Sequence, residues 1–161
     1  MKFKKGDMAV YPGHGVGAIK KIEKRVFSGK REEFYVLRIL DTETTILIPV
    51  KNVRHVGLRK VISTKEVEEI YRILRRRKAN SNDQPWNRRY RYYMDKLKSG
   101  SLHDIAEVLR NLSLLKNDKA LSFGERRMFD TARSLLVKEI SIAKKVSEDF
   151  VEKDISKYIN F

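Results

Sequence analysis

The chain has 161 residues, with 36 Lys and Arg against 21 Asp and Glu and a formal net charge of +15. A hydrophobic content of 41% is enough for a real core and excludes global disorder, and the absence of cysteine removes disulfides, thiolate metal sites and cysteine nucleophiles together. So basic a chain calls for a polyanionic partner, which charge alone leaves open between DNA, RNA and an anionic membrane.

The opening stretch, MKFKKGDMAVYPG, is basic, but its apolar runs are short and broken by Asp7, Pro12 and glycines. It reads as neither a signal peptide nor a membrane span, so a cytoplasmic protein is expected. Residues 1 to about 60 have strand character. Met8, Val10, Val16, Ile22 and Val26 are closely spaced β-formers punctuated by glycines, and Glu32–Leu40 and Thr44–Val50 read as strong strands. Ser28–Gly29 and Asp41–Glu43 read as turns. Five short strands in so few residues predict a small, strongly bent barrel, with Val10, Val16, Ile22, Tyr35, Leu37, Leu47 and Val56 as its core. GHGVG (Gly13–Gly17) is not a phosphate loop, because no Gly-Lys-Ser/Thr follows and it leads into a strand.

From Ser63 the period becomes helical, and the short join Lys60–Ile62 contains no glycine. Ser63 and Glu66 form a capping box ahead of Val67, Ile70, Tyr71 and Leu74, in a helix that should fade by Lys78. Ala79–Pro85 is a polar turn. Tyr90, Tyr93, Met94 and Leu97 then line one face of a second helix, which stops at Ser99–Gly100. Ser101 caps a third helix, with Ile105, Val108, Leu109 and Leu112 inward. Ser122 and Glu125 cap a long fourth, with Met128, Ala132, Leu135, Leu136 and Ile140 inward. Ser147 caps a fifth that carries Val151, Ile155 and Tyr158. The class is therefore α+β: a β-barrel over residues 1–60, then a compact bundle of about five helices over 63–161.

Charge is concentrated where the first two helices meet. Tyr71–Lys98 holds ten Lys or Arg against two Asp and includes Trp86, the single tryptophan, among four tyrosines. Cations with interleaved rings suit nucleic acid, since the cations take phosphates and a ring can stack on a base or wedge into a groove. Arg76 and Lys78 end a helix, where cations are favourable in any case. Arg88, Arg89 and Arg91 stand near a helix start, where the dipole disfavours them, so phosphate contact is the better reason for their position. Nothing in these helices presents Asn, Gln and Arg as a reader of base edges, so binding should depend on position and DNA deformation rather than sequence. His14, His55 and His103 are scattered without a partner at ligand spacing, and neither catalysis nor a metal or cofactor is expected.

Four separated blocks occur in order: FKKGDMAVYPGHGVGAIKKIEKR (Phe3–Arg25), IPVKN (Ile48–Asn52), PWNRRYR (Pro85–Arg91) and LSFGERRMFDTARSLLVKEI (Leu121–Ile140). Together they resemble the CarD/CdnL family of bacterial transcription regulators, from Phe3 to about Ile140. The resemblance implies a Tudor-like, SH3-like N-terminal barrel that binds the β subunit of RNA polymerase, partly by strand-to-strand pairing. It also implies a helical domain that meets promoter DNA at the upstream edge of the melted region and stabilises the open complex. On this resemblance Trp86 would be the minor-groove wedge, and Arg88, Arg89 and Arg91 the phosphate-binding set; Arg76 and Lys78 join the expected DNA-binding residues from the basic segment itself. Arg25, Ile46, Leu47, Ile48, Pro49 and Asn52 would form the polymerase-binding set. Leu47 stands where some members carry a second contacting arginine, which removes one charge-assisted contact. A monomer without membrane attachment is expected. The residues alone also fit an RNA-binding or ribosome-associated basic protein, or an adaptor whose basic face meets acidic protein.

Overall fold

The computed structural model describes residues 2–76 and 86–159, the side chains of Trp86, Asn87 and Asp118 aside. Two compact units divide between Val61 and Ile62. In the first, strands β1 (Met8–Tyr11), β2 (Gly15–Phe27), β3 (Lys30–Ile39), β4 (Thr45–Pro49) and β5 (Arg59–Lys60) form one antiparallel sheet in the order β4-β3-β2-β1-β5. A 3₁₀ turn (Val50–Asn52) and the single-turn helix α1 (Val53–Val56) join β4 to β5.

The β2–β3 hairpin dominates this unit. Its turn, Ser28–Gly29, has positive φ at both residues (51° and 77°), the combination that matches the right-handed twist of flanking strands. The register slips between Ile19 and Lys21, and that bulge separates two regimes. Before it, Val16–Ile19 are buried and β2 is flanked by β1 and β3; beyond it only β3 pairs with β2, and Lys20–Lys24 are largely exposed. Gly17 is needed where the strands crowd, since a Cβ there would stand 2.8 Å from the Arg38 carbonyl oxygen and from Leu37.

The core of this unit gathers Phe3, Ala9, Ile19, Tyr35, Leu37, Ile39, Ile48, Val53 and Leu58. Tyr35 also accepts a hydrogen bond at its hydroxyl from the Phe3 amide at 3.1 Å. Two of the expected core positions are corrected. Ile22 is 44% exposed because it lies past the bulge, where the hairpin has outrun β1. Leu47 is 39% exposed because it pairs with Val36, on the sheet face opposite the one that carries Tyr35 and Leu37.

In the second unit the described residues form α2 (Thr64–Arg75), α3 (Trp86–Lys98), α4 (Leu102–Asp118), α5 (Phe123–Lys144) and α6 (Glu148–Ile155). Serine caps four of them: Ser63, Ser101, Ser122 and Ser147 each accept the amide three residues on, and Ser122 with Glu125 completes a capping box. Each such cap is worth about 1 kcal/mol. α4 is central, with Ala106, Val108, Leu109 and Leu112 fully buried against α2, α3 and α5. The entry to α2 is fixed from within, because the Ile62 amide donates to the buried Glu139 carboxylate at 2.9 Å. Tyr90 and Tyr158, both expected inward, are 41% and 36% exposed. Tyr158 follows the end of α6, in a turn that no longer holds the helical azimuth.

Candidate nucleic-acid and protein interfaces

The basic segment converges on α3. Its last turns are anchored by Tyr93 and Leu97, both buried, and by Lys96, whose ammonium reaches Glu107 at 2.7 Å and Asp104 at 3.3 Å on α4. Partial burial works against the Lys96 charge, and the two carboxylates overcome it, raising its pKa above the ordinary lysine range. Lys96 is thereby committed to the bundle. Burial likewise raises the Tyr93 phenol, against the opposing charge of Arg89.

The three arginines of the first half do not share one face. At 100° per residue, Arg88 and Arg91 fall on the side opposite Tyr93 and Leu97, and both are exposed. Arg89 is turned toward the bundle, partly buried and close to Tyr93. Tyr92 lies on the outer face at 42% exposure, beneath the Lys96 ammonium 5.1 Å from its ring centre. Arg76 is exposed at the C-terminal cap of α2. Trp86 opens α3, but its side chain lies outside the described residues, and so does Lys78.

The other helix starts supply a contrast. α2, α4, α5 and α6 each carry an acid in the first turn (Glu66, Asp104, Glu125 and the pair Glu148 and Asp149), as the helix dipole favours. α3 carries no acid there and has Arg88 and Arg89 instead. One residue escaped the sequence reading: Phe123, the first residue of α5, is 80% exposed and stands in the same helix turn as Glu125, which interacts electrostatically with Tyr93. Its neighbour Ser122 explains the helix start but carries no signal for an outward ring.

In the sheet unit the candidate residues gather on and around β4, which among the described residues pairs only with β3. The Ile39 amide donates to the Thr44 carbonyl at 2.9 Å, making that pair hydrogen-bonded. By antiparallel alternation the pairs Leu37/Ile46 and Tyr35/Ile48 are hydrogen-bonded too, while Thr45 and Leu47 direct their main-chain N–H and C=O toward the open edge. Pro49 falls on the same outward phase, where its missing N–H costs no ladder bond.

Side chains divide by parity. Ile48 is 2% exposed and Ile46 packs against the same core, so their side chains belong to the fold, and their main-chain groups are turned toward β3. Of the trio Ile46, Leu47 and Ile48, whose side chains alternate in direction, Leu47 is the one with an exposed side chain. Leu47 faces outward, on the same side as Arg25 by the register through Val36 and Lys21. Arg25 Nε donates to Glu23 Oε2 at 2.8 Å, and Lys21 pairs with the same carboxylate at 3.1 Å, which holds Glu23 below its ordinary pKa. Phe27, half exposed, packs edge-on against Phe34 with ring centres 5.7 Å apart. Asn52 is exposed ahead of α1 and makes no side-chain capping bond.

Among the described residues no group of His, Asp or Glu is arranged to hold a metal ion, and no helix is long and apolar enough to cross a membrane.

Comparison with known proteins covers both units. The family model described as CarD-like/TRCF RID domain matches residues 3–62, and that described as CarD, C-terminal domain matches residues 69–156. YdeB of Bacillus subtilis (strain 168), named as a candidate transcription factor, is 33% identical over 146 residues, covering 91% of this chain and 95% of its own. The solved structure CdnLNt from Myxoccoccus xanthus is 52% identical, covers 39% of this chain and 89% of its own, and superposes with a TM-score of 0.34.

Proposed function

Because the chain belongs to the CarD/CdnL family, we propose that it is a non-catalytic bacterial transcription regulator, acting in the cytoplasm as a monomer, that docks on the RNA polymerase β subunit and stabilises the promoter open complex through minor-groove contacts. The observation that carries the DNA half of this reading is the inverted charge at the start of α3. Among the described residues of the second unit, Arg88 and Arg89 occupy the one helix start without an acid, and a DNA phosphate would offset the unfavourable dipole. Arg88 and Arg91, exposed at i and i+3, would track one phosphate strand, with Arg76 and Lys78 adding charge and Arg89 contributing less. Trp86, by the family resemblance, would wedge between unstacked base pairs and hinder closure of the bubble.

Docking would use the outward main chain of Thr45 and Leu47 to add a strand from the polymerase. Arg25, Leu47, Pro49 and Asn52 would supply the side-chain contacts. With no base-edge reader among the described residues of the second unit, promoter choice would come from the polymerase, which raises the local concentration of this protein beside the melted DNA.

The test is a division of labour. Residues 1–61 and the full chain should capture a β-subunit fragment, and residues 62–161 should not. Duplex DNA should bind the full chain regardless of sequence. Capture by residues 62–161, or preference for structured RNA over duplex DNA at equal salt, would refute the reading.

A further inference from the structure

The second unit contains a pocket of about 580 Å³ with a chemistry the transcription reading does not use. One wall is a single face of α4, where Arg110, Ser113 and Asn117 recur at i, i+3 and i+7. Arg75 and Arg76, from the end of α2, and Lys157 complete a lining that includes four cations and, among the described residues, no carboxylate. The volume lies in the range of small-molecule sites.

Three of the cations have ordinary explanations. Arg75 and Arg76 close α2, where cations suit the dipole, and Arg75 stacks over the Tyr158 ring at 5.4 Å. Lys157 pairs with Asp154 at 3.3 Å. Arg110 has no such explanation. It stands in the middle of α4, away from either helix end, and is 2% exposed. Nη2 donates to Asn111 Oδ1 at 2.8 Å, whereas Nε and Nη1 are buried without a hydrogen-bond partner among the described residues. The nearest acid on its own helix, Glu107, is bonded to Lys96. Burial works against the Arg110 charge; Glu107 opposes that effect, Arg76 adds to it, and Tyr92 and Tyr93 make smaller opposing contributions. A buried guanidinium without a counter-charge is costly, and such groups are normally paired.

We propose that this pocket binds a small phosphate-bearing anion, with Arg110 supplying the buried positive charge and Arg76, Ser113 and Asn117 the polar contacts. A guanidinium is suited to phosphate because its planar fork presents paired donors. A concave wall with its key charge 2% exposed favours a free small anion over the backbone of a duplex, which meets exposed side chains. The site stands independently of the DNA reading, sharing only Arg76 with it.

Sodium pyrophosphate is the probe, added to the full chain and followed by calorimetric titration and thermal unfolding, with sodium chloride at matched ionic strength as the control. Pyrophosphate should raise Tm where chloride does not. Arg110→Met should abolish that rise and weaken binding by about tenfold or more, and without ligand it should unfold no lower than the parent, because it removes an uncompensated charge. Asn117→Leu, at an exposed position on the pocket wall, should also abolish the rise and decides the matter if Arg110→Met does not fold. An equal rise with chloride, or a rise that survives Asn117→Leu, overturns the proposal. So does a duplex DNA affinity that falls with Arg110→Met as much as pyrophosphate affinity does, since the phosphate would then be that of the nucleic acid.

Discussion

Replacing Arg88 and Arg91 together with alanine separates a phosphate-binding surface from a solvated helix face. Both side chains are exposed and one turn apart, so each can meet one phosphate. Each contact contributes about 0.9 to the slope of log affinity against log salt on B-DNA, so the double variant should lose about 1.8 from that slope. Between 50 and 200 mM salt the parent should then lose affinity by about twelvefold more than the variant. Stability should move the other way. Arg88 sits in the first turn of α3, where no acid balances it, and its removal should stabilise the helix by about 0.3–1 kcal/mol, while Arg91, a turn later, should be near neutral. Adding Arg89→Ala should lower the slope by less than one further unit and cost some stability, because Arg89 is turned toward Tyr93. Fluorescence anisotropy on a random-sequence duplex across a salt series, paired with calorimetric unfolding, measures both. An unchanged slope, or a double variant that unfolds earlier than the parent, would refute the assignment.

Leu47→Pro should leave the sheet unit folded, since the Leu47 amide points to the open edge, yet should abolish capture of a β-subunit fragment; retained capture would rule out strand addition. Trp86→Ala should leave that capture intact and shorten the lifetime of open promoter complexes after competitor challenge. A loss of all activities together with a large fall in Tm would instead mark Trp86 as a core anchor, whose truncation costs about 3–5 kcal/mol. Asp154 has a lowered pKa: burial raises it, but Tyr71, Lys157 and Lys144 outweigh that effect. A depressed carboxylate contributes stability above its unfolded pKa and loses it as pH falls through the folded one. Asp154→Asn should therefore lower Tm at neutral pH and converge with the parent below the ordinary carboxylate range. Curves that stay parallel down to that range would show that the charge is irrelevant.

The parts of this fold that sequence could reach are those decided locally. Ser63, Ser101, Ser122 and Ser147 each cap a helix because a hydroxyl satisfies an amide three residues on, within one turn of chain. The buried face of α4 follows from 3.6-residue spacing alone. Ile22 and Leu47 failed because their exposure depends on distant facts: where β1 stops, and which residue of β3 lies opposite. For the arginines, composition located the segment, but the azimuth that separates Arg88 and Arg91 from Arg89 required the packed helix. Arg110 was invisible for the opposite reason: a polar face of a helix normally points to water, and only tertiary packing placed this one behind a pocket wall.

The outward edge of β4 has a second implication. Any strand able to accept a partner can also accept a copy of itself, and repeated edge pairing is the route to fibres. Here the strand is five residues long, and Pro49 lacks the amide that a longer ladder would need at its far end. Only Thr45 and Leu47 present complete outward main-chain pairs, so a second copy would gain too few hydrogen bonds to propagate. The brevity of the edge thus guards against self-assembly, and a genuine partner must add side-chain contacts that a copy does not provide.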